Sequence, residues 1–171
     1  MTERHNASVA HILAFVPNWM GDAAMCTPAL RALHNRFPSS TLTVAGRSGV
    51  CDLLEELPWI NDFERLPEKP SLREMIKIAA RMHSRKYELI VVFPHSFRAA
   101  LLAWLIGGSK RIGYACNGRR WLLTQTLPRH MEAGYIVPIY MAEEYLNLVK
   151  LVGCNDDGKG LELGVSSSIA Q

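Results

Sequence analysis

The sequence predicts an α/β domain: a Rossmann-like, mainly parallel sheet with helices on both faces. Short apolar runs alternate with helix-length segments, the order expected of parallel strands joined by right-handed crossovers. One run, Leu89-Ile90-Val91-Val92-Phe93, is apolar at every position, as a strand covered on both faces must be. The chain has 171 residues, 49% hydrophobic and 20% charged, which suits one globular domain with a sizeable core.

Taken in order, strands are expected over 10–16, 41–46, 62–66, 87–93 and 111–114, and helices over 23–36, 50–57, 72–86, 97–106 and 139–152. The first strand rests on Ile12-Leu13-Ala14-Phe15-Val16. The first helix contains Pro28, which cannot donate to the carbonyl four residues back, so an interruption or kink is expected there. Thr27-Pro28 is itself a good N-cap and N1 pair. The helix over 72–86 places Leu72, Met75, Ile76, Ala79 and Met82 on one face, and Arg73, Lys77, Arg81 and Arg85 in a row opposite. That row reads as a solvated face or as a basic stripe for an anionic membrane surface. The segment 97–106 is apolar all round after Arg98, so burial between layers is expected. Residues 153–160 are rich in Gly, Asn and Asp and read as linker.

A formal charge of +3 gives no reason to expect a nucleic-acid partner. Cys26, Cys51, Cys116 and Cys154 form no C-x-x-C pair, so neither a zinc knuckle nor a redox motif is written, and free thiols are expected. The short apolar run before Pro17 does not continue into a cleavage region, so no secretion signal is expected. No apolar stretch reaches the roughly 18–20 residues needed to span a bilayer. There is no G-x-x-x-x-G-K-[ST], and Gly46-Arg47-Ser48-Gly49 is not the dinucleotide fingerprint. The histidines show no metal-ligand spacing.

Pro17-Asn18-Trp19-Met20-Gly21-Asp22 is the most informative stretch. It places a carboxylate at the carboxyl end of a buried strand, on a Gly-assisted turn into a helix, where open α/β sheets bind ligands. Asp is also a favoured N-cap, and that reading stays open. With Thr27 sharing the capping, Asp22 would sit on a short preliminary turn with its carboxylate free for chemistry. Pro94-His95-Ser96 follows the apolar strand and so opens at the same sheet edge, although a loop histidine often merely caps the next helix. Over 98–130 there are six Lys or Arg residues (Arg98, Lys110, Arg111, Arg119, Arg120 and Arg129) and no Asp or Glu. This one-sided charge suits an anionic ligand, or is ordinary surface.

Three blocks occur in order: Val16-Pro17-Asn18-Trp19-Met20-Gly21-Asp22-Ala23; Thr27-Pro28-Ala29-Leu30-Arg31-Ala32-Leu33; and Phe93-Pro94-His95-Ser96-Phe97-Arg98-Ala99-Ala100-Leu101, running into Arg111-Ile112-Gly113-Tyr114. Together they resemble the N-terminal half of the ADP-heptose:lipopolysaccharide heptosyltransferases of glycosyltransferase family 9, over most of residues 10–152. The resemblance implies a GT-B fold of two Rossmann-like domains, the N-terminal one holding the acceptor and the C-terminal one the ADP-sugar. On that reading residues 1–9 are a tail, 10–152 the acceptor domain, and 153–171 a linker or the start of the donor domain. ADP-heptose is expected to bind that absent domain; no other cofactor and no metal is expected.

By the same resemblance Asp22 matches the family's catalytic base. Asn18, Trp19, His95, Ser96 and Arg98 fall on the acceptor-side loops, with histidine at 95 where relatives commonly carry asparagine. Arg119 and Arg120 are expected to help hold the acceptor, the inner core of lipopolysaccharide with its anionic 3-deoxy-octulosonate sugars and phosphates. A cytoplasmic location, with peripheral contact at the inner membrane, is implied. Competing readings are a truncated, non-catalytic acceptor-binding module and, on the residues alone, an unrelated doubly wound domain with Asp22 as a simple cap.

Overall fold

Alternate residues of the first strand point into two different cores. In the computed structural model, which describes residues 9–132 and 135–164, β1 (His11–Phe15) turns Ile12 and Ala14 to one face and Leu13 and Phe15 to the other, all buried. It pairs in parallel with β2 (Thr41–Gly46) and with β4 (Leu89–Val92). β3 (Asp62–Arg65), β5 (Lys110–Tyr114) and β6 (Gln125–Leu127) complete a six-stranded, all-parallel sheet in the order β3-β2-β1-β4-β5-β6. Helices α1 (Met20–Arg36), α2 (Ser48–Leu54) and α5 (Met141–Lys150) cover one face, while α3 (Leu72–His83) and α4 (Phe97–Ile106) cover the other. The expected Rossmann-like architecture is present. Sequence reading missed β6, the 3₁₀ turn Arg120–Leu122 and the small hairpin of β7 (Met131–Glu132) and β8 (Tyr135–Ile136). All are of two or three residues, too short to carry a period. Residues 1–8 and 165–171, expected as tail and linker, lie outside the described residues.

Two helix expectations are corrected. α1 runs without a break from Met20 to Arg36, straight through Pro28. The carbonyl of Ala24, which Pro28 cannot satisfy, instead accepts from the Thr27 hydroxyl at 2.7 Å. Thr27 therefore closes the ladder inside one helix and does not cap a second. Its oxygen also accepts from the Glu162 backbone N–H at 3.0 Å, and buried Arg31 pairs with Asp157 at 2.7 Å and Glu162 at 2.9 Å. The described part of the glycine-rich segment is thus fastened along α1.

The second correction concerns α4. Its inner side, Ala100, Leu102, Ala103 and Ile106, is buried, but Phe97 and Trp104 face outward. Among the described residues no further layer lies over this helix. α3 buries Met75, Ala79 and Met82 of its expected apolar face together with Ile78, whereas Leu72 and Ile76, expected on that face, are exposed; its N-terminus carries a full capping box between Ser71 and Glu74.

Candidate functional site

All six strands end at one edge, and β1 is flanked by β2 on one side and β4 on the other, so the chain leaves β1 and β4 in opposite directions. The loops after these two strands splay at this switch point, where open α/β sheets form their ligand crevice. Val16 N–H continues the ladder to Ala45 O at 3.0 Å and Phe93 N–H to Phe15 O at 3.2 Å. Both loops therefore leave a rigid edge.

A cavity of about 210 Å³ lies between them, lined by Asn18, Trp19, Asp22, His95, Ser96 and Tyr145 among others. Five of the eight expected site residues meet here. Asp22 lies in the first turn of α1, half-buried, and is not the cap: Trp19 holds that position, with no side-chain cap hydrogen bond. The helix start thus favours a negative charge without tying the carboxylate to an N–H of the capping position. The turn is not Gly-assisted either. Gly21 has no positive φ, and a Cβ there would meet nothing within 4 Å. Trp19 stands at the rim with 77% of its surface exposed.

His95 does not cap α4; Ser96 does, accepting from the N–H groups of Arg98 at 3.2 Å and Ala99 at 3.4 Å. The imidazole turns towards α5, its Nε2 lying 2.8 Å from Glu144 Oε1. The N–H is not aligned on that oxygen, so the pair is close without a well-formed hydrogen bond. Tyr114 packs edge-on to His95 at 5.5 Å, and its hydroxyl donates to Glu144 O at 2.6 Å. Burial holds the His95 imidazole below its ordinary value; Glu144 opposes that shift, and Arg129 and Arg119 reinforce it.

This has a consequence for stability. The unfolded chain takes up a proton at His95 before the folded one does, so stability present above about pH 6.5 is lost as pH falls towards the depressed folded value. Urea midpoints at pH 7.5 and 5.5 should show a larger acid loss for the native chain than for His95→Asn. A larger loss in the variant would mean that protonated His95 is held by Glu144 and the sign is reversed.

The expectation for Arg119 is corrected. Its side chain is fully buried beneath the loops. Nε donates to Tyr114 O at 2.9 Å, and Nη1 to Ser96 O at 3.0 Å and to Pro94 O. Asn117 Nδ2 holds His95 O at 2.8 Å. Asn117 and Gly118 both have positive φ, and that left-handed turn carries Arg119 under the crevice loop. Arg119 therefore shapes the site from below. Its sequence neighbour Arg120 is exposed and lines neither this cavity nor the next.

On the far side of the β1 and β4 loops a second cavity of about 220 Å³ shares Asn18 and Ser96 and adds Arg47, Lys69 and Arg98. Arg47 Nη1 lies 3.3 Å from Glu68, and its buried Nε has no hydrogen-bond partner. Arg98 donates to Pro70 O. Arg47 and Glu144 were missed by sequence reading. Arg47 directly follows β2 at this same edge, a signal that was available; Glu144 reaches the site only through the packing of α5. A roomier cavity of about 720 Å³, near Pro128 and Lys150, contains none of the expected site residues. Among the described residues no cluster of side chains is suited to a metal ion, and no helix is long and apolar enough to cross a membrane.

No family model matches the chain. It is 27% identical over 140 residues to lipopolysaccharide heptosyltransferase 2 of Escherichia coli, covering 80% of this chain and 39% of that protein. The corresponding protein of Salmonella typhimurium is 26% identical over 115 residues, covering 66% and 33%. Among solved structures, E. coli ADP-heptose lps heptosyltransferase II superposes with a TM-score of 0.74 at 25% identity, over 92% of this chain and 47% of that one. In sequence and in fold, the chain is similar to the heptosyltransferases. A family 9 glycosyl transferase from Veillonella parvula shares the fold at a TM-score of 0.79 and 19% identity, covering 93% of this chain and 46% of that one. The chain spans 33–39% of the length of the curated heptosyltransferases it matches.

Proposed function

We propose that the chain is the acceptor-binding part of a lipopolysaccharide heptosyltransferase, with Asp22 as the general base of an inverting transfer. The observation that carries this reading is the position of Asp22, opposite His95 in the switch-point crevice of a chain similar to heptosyltransferases. An acceptor hydroxyl held over the start of α1 gives its proton to the Asp22 carboxylate as its oxygen bonds to the anomeric carbon of heptose. The bond from that carbon to ADP breaks on the opposite face, and ADP leaves with the electron pair. ADP-heptose itself would be held by a second domain across the crevice.

The acceptor's anionic groups then lie in the neighbouring groove. Arg47, Lys69 and Arg98 supply cations there, and charge-assisted hydrogen bonds to carboxylate or phosphate are the strong ones. Calorimetric titration of the chain with a phosphorylated core oligosaccharide tests this: saturable, salt-sensitive binding is expected, and its absence sinks the acceptor reading.

Gly21 gives a sharper check. Nothing in the protein occupies the space a Cβ would take, so Gly21→Ala should leave stability unchanged or raise it by up to about 1 kcal/mol. A ligand crossing the helix start would meet the new methyl, at a cost of roughly 1–3 kcal/mol. Oligosaccharide affinity should fall about tenfold or more. Equal affinity in a stable Gly21→Ala protein would mean that the acceptor does not pass there.

A further inference from the structure

The outer side of the layer formed by α3, α4 and the 3₁₀ turn carries an aromatic patch that nothing among the described residues covers. Trp104 on α4 and Trp121 in the 3₁₀ turn lie with ring centroids 6.4 Å apart, and Phe97 lies 6.3 Å from Trp121. Their exposures are 39% for Phe97, 45% for Trp104 and 65% for Trp121. Three exposed aromatic side chains, two from α4 and one from the 3₁₀ turn, lie together in one apolar patch, and contiguous exposed apolar patches mark interaction sites. Ile76 and Leu72, both largely exposed on α3, extend the apolar character of the same layer.

Cations outnumber carboxylates around this patch. Arg98 and Arg120, next in sequence to Phe97 and Trp121, are exposed, as are Arg73 and Lys77 on α3. No Asp or Glu occurs between Glu88 and Glu132. Glu74, the one carboxylate of α3, accepts from the N–H and hydroxyl of Ser71 in the capping box. The other half of the basic row on α3 is neutralised: Arg81 pairs with Glu64 and Arg85 with Asp62. Among the described residues Arg73 and Lys77, the first half of that row, make no salt bridge within 4 Å, and α3 packs beside α4, which carries Phe97 and Trp104.

We infer that this face docks on an anionic bilayer surface, with Trp104 and Trp121 entering the headgroup layer and Arg73, Lys77 and Arg120 facing lipid phosphates. Tryptophan favours that layer because its ring is apolar and its N–H can stay wet. Basic residues add attraction to anionic lipid, and apolar insertion with basic charge together gives reversible surface binding. Complementarity of charge selects a bilayer over an apolar protein partner. Phe97 follows Ser96 directly, so the patch starts at the rim of the crevice. That alignment with a lipid-linked acceptor rests on the proposed function; docking itself does not.

The test uses vesicles and the whole chain, with no sugar present. Co-sedimentation with phosphatidylcholine vesicles containing one quarter phosphatidylglycerol should show binding at least about tenfold tighter than to phosphatidylcholine alone, weakening with salt as exposed charges are screened. The double variant Trp104→Ser with Trp121→Ser should lose about tenfold or more while keeping its thermal midpoint. Lys77→Gln with Arg120→Gln should erase most of the preference for anionic lipid and leaves the apolar surface intact, which covers a poorly folding tryptophan variant. Unchanged vesicle binding in the double tryptophan variant overturns the inference. So does a concentration-dependent dimer that this variant abolishes, which would assign the face to a second copy. Asp22→Asn should bind vesicles like the native chain, so failure here and failure of the acceptor reading are separately visible.

Discussion

Asp22→Asn, in a protein that carries this chain together with a donor-binding domain, should lower turnover by at least about 100-fold, within the 10²–10⁴ typical of a lost general base. The substitution keeps shape and polarity but removes the proton-accepting charge. Acceptor affinity should change little, so the loss falls on kcat. Stability should move by no more than about 1 kcal/mol, because Asp22 is not the N-cap and loses only a favourable interaction with the helix dipole. This separates the two roles the sequence left open. A cap would give the opposite result, near-native turnover with a clear loss of stability, and would return the site to a structural motif.

Much of this was legible in the residues because it depends on local patterns. The runs 41–46 and 97–106 match β2 and α4 as observed: the first is short and rich in β-branched residues, the second is long, rich in Ala and Leu, and closed by Gly107. Asp22 and His95 could be brought to one crevice because a parallel sheet puts every strand end at the same edge. What failed depended on single long-range contacts. Pro28 predicts a break until the Thr27 hydroxyl is seen on the Ala24 carbonyl. The outer surface of α4 cannot be told from a buried one, because sequence gives hydrophobicity without the number of layers. Glu144 comes to His95 through packing that begins 49 residues further along the chain, and no local signal marks it.

Arg119 and Arg120 show the same limit most sharply, and replacing them should give opposite outcomes. Arg119→Met is expected to destabilise the domain by about 1–3 kcal/mol, the range for leaving a buried acceptor without its donor. The carbonyls of Tyr114, Pro94 and Ser96 would lose their shared donor beneath the crevice. Arg119→Lys should recover only part of the loss, because a single ammonium on a flexible stem cannot reproduce the planar fork that reaches both loops. Arg120→Gln, exposed and next in sequence, should stay within about 0.5 kcal/mol of native. Urea unfolding of the three variants measures this, and two-dimensional NMR of the His95 ring adds a local readout. Its resonances should shift or broaden in Arg119→Lys but not in Arg120→Gln, because Arg119 fixes the carbonyls on either side of residue 95. Equal stabilities for Arg119→Met and Arg120→Gln would remove the clamp, and with it the account of how the loop that carries His95 is held against the end of β5.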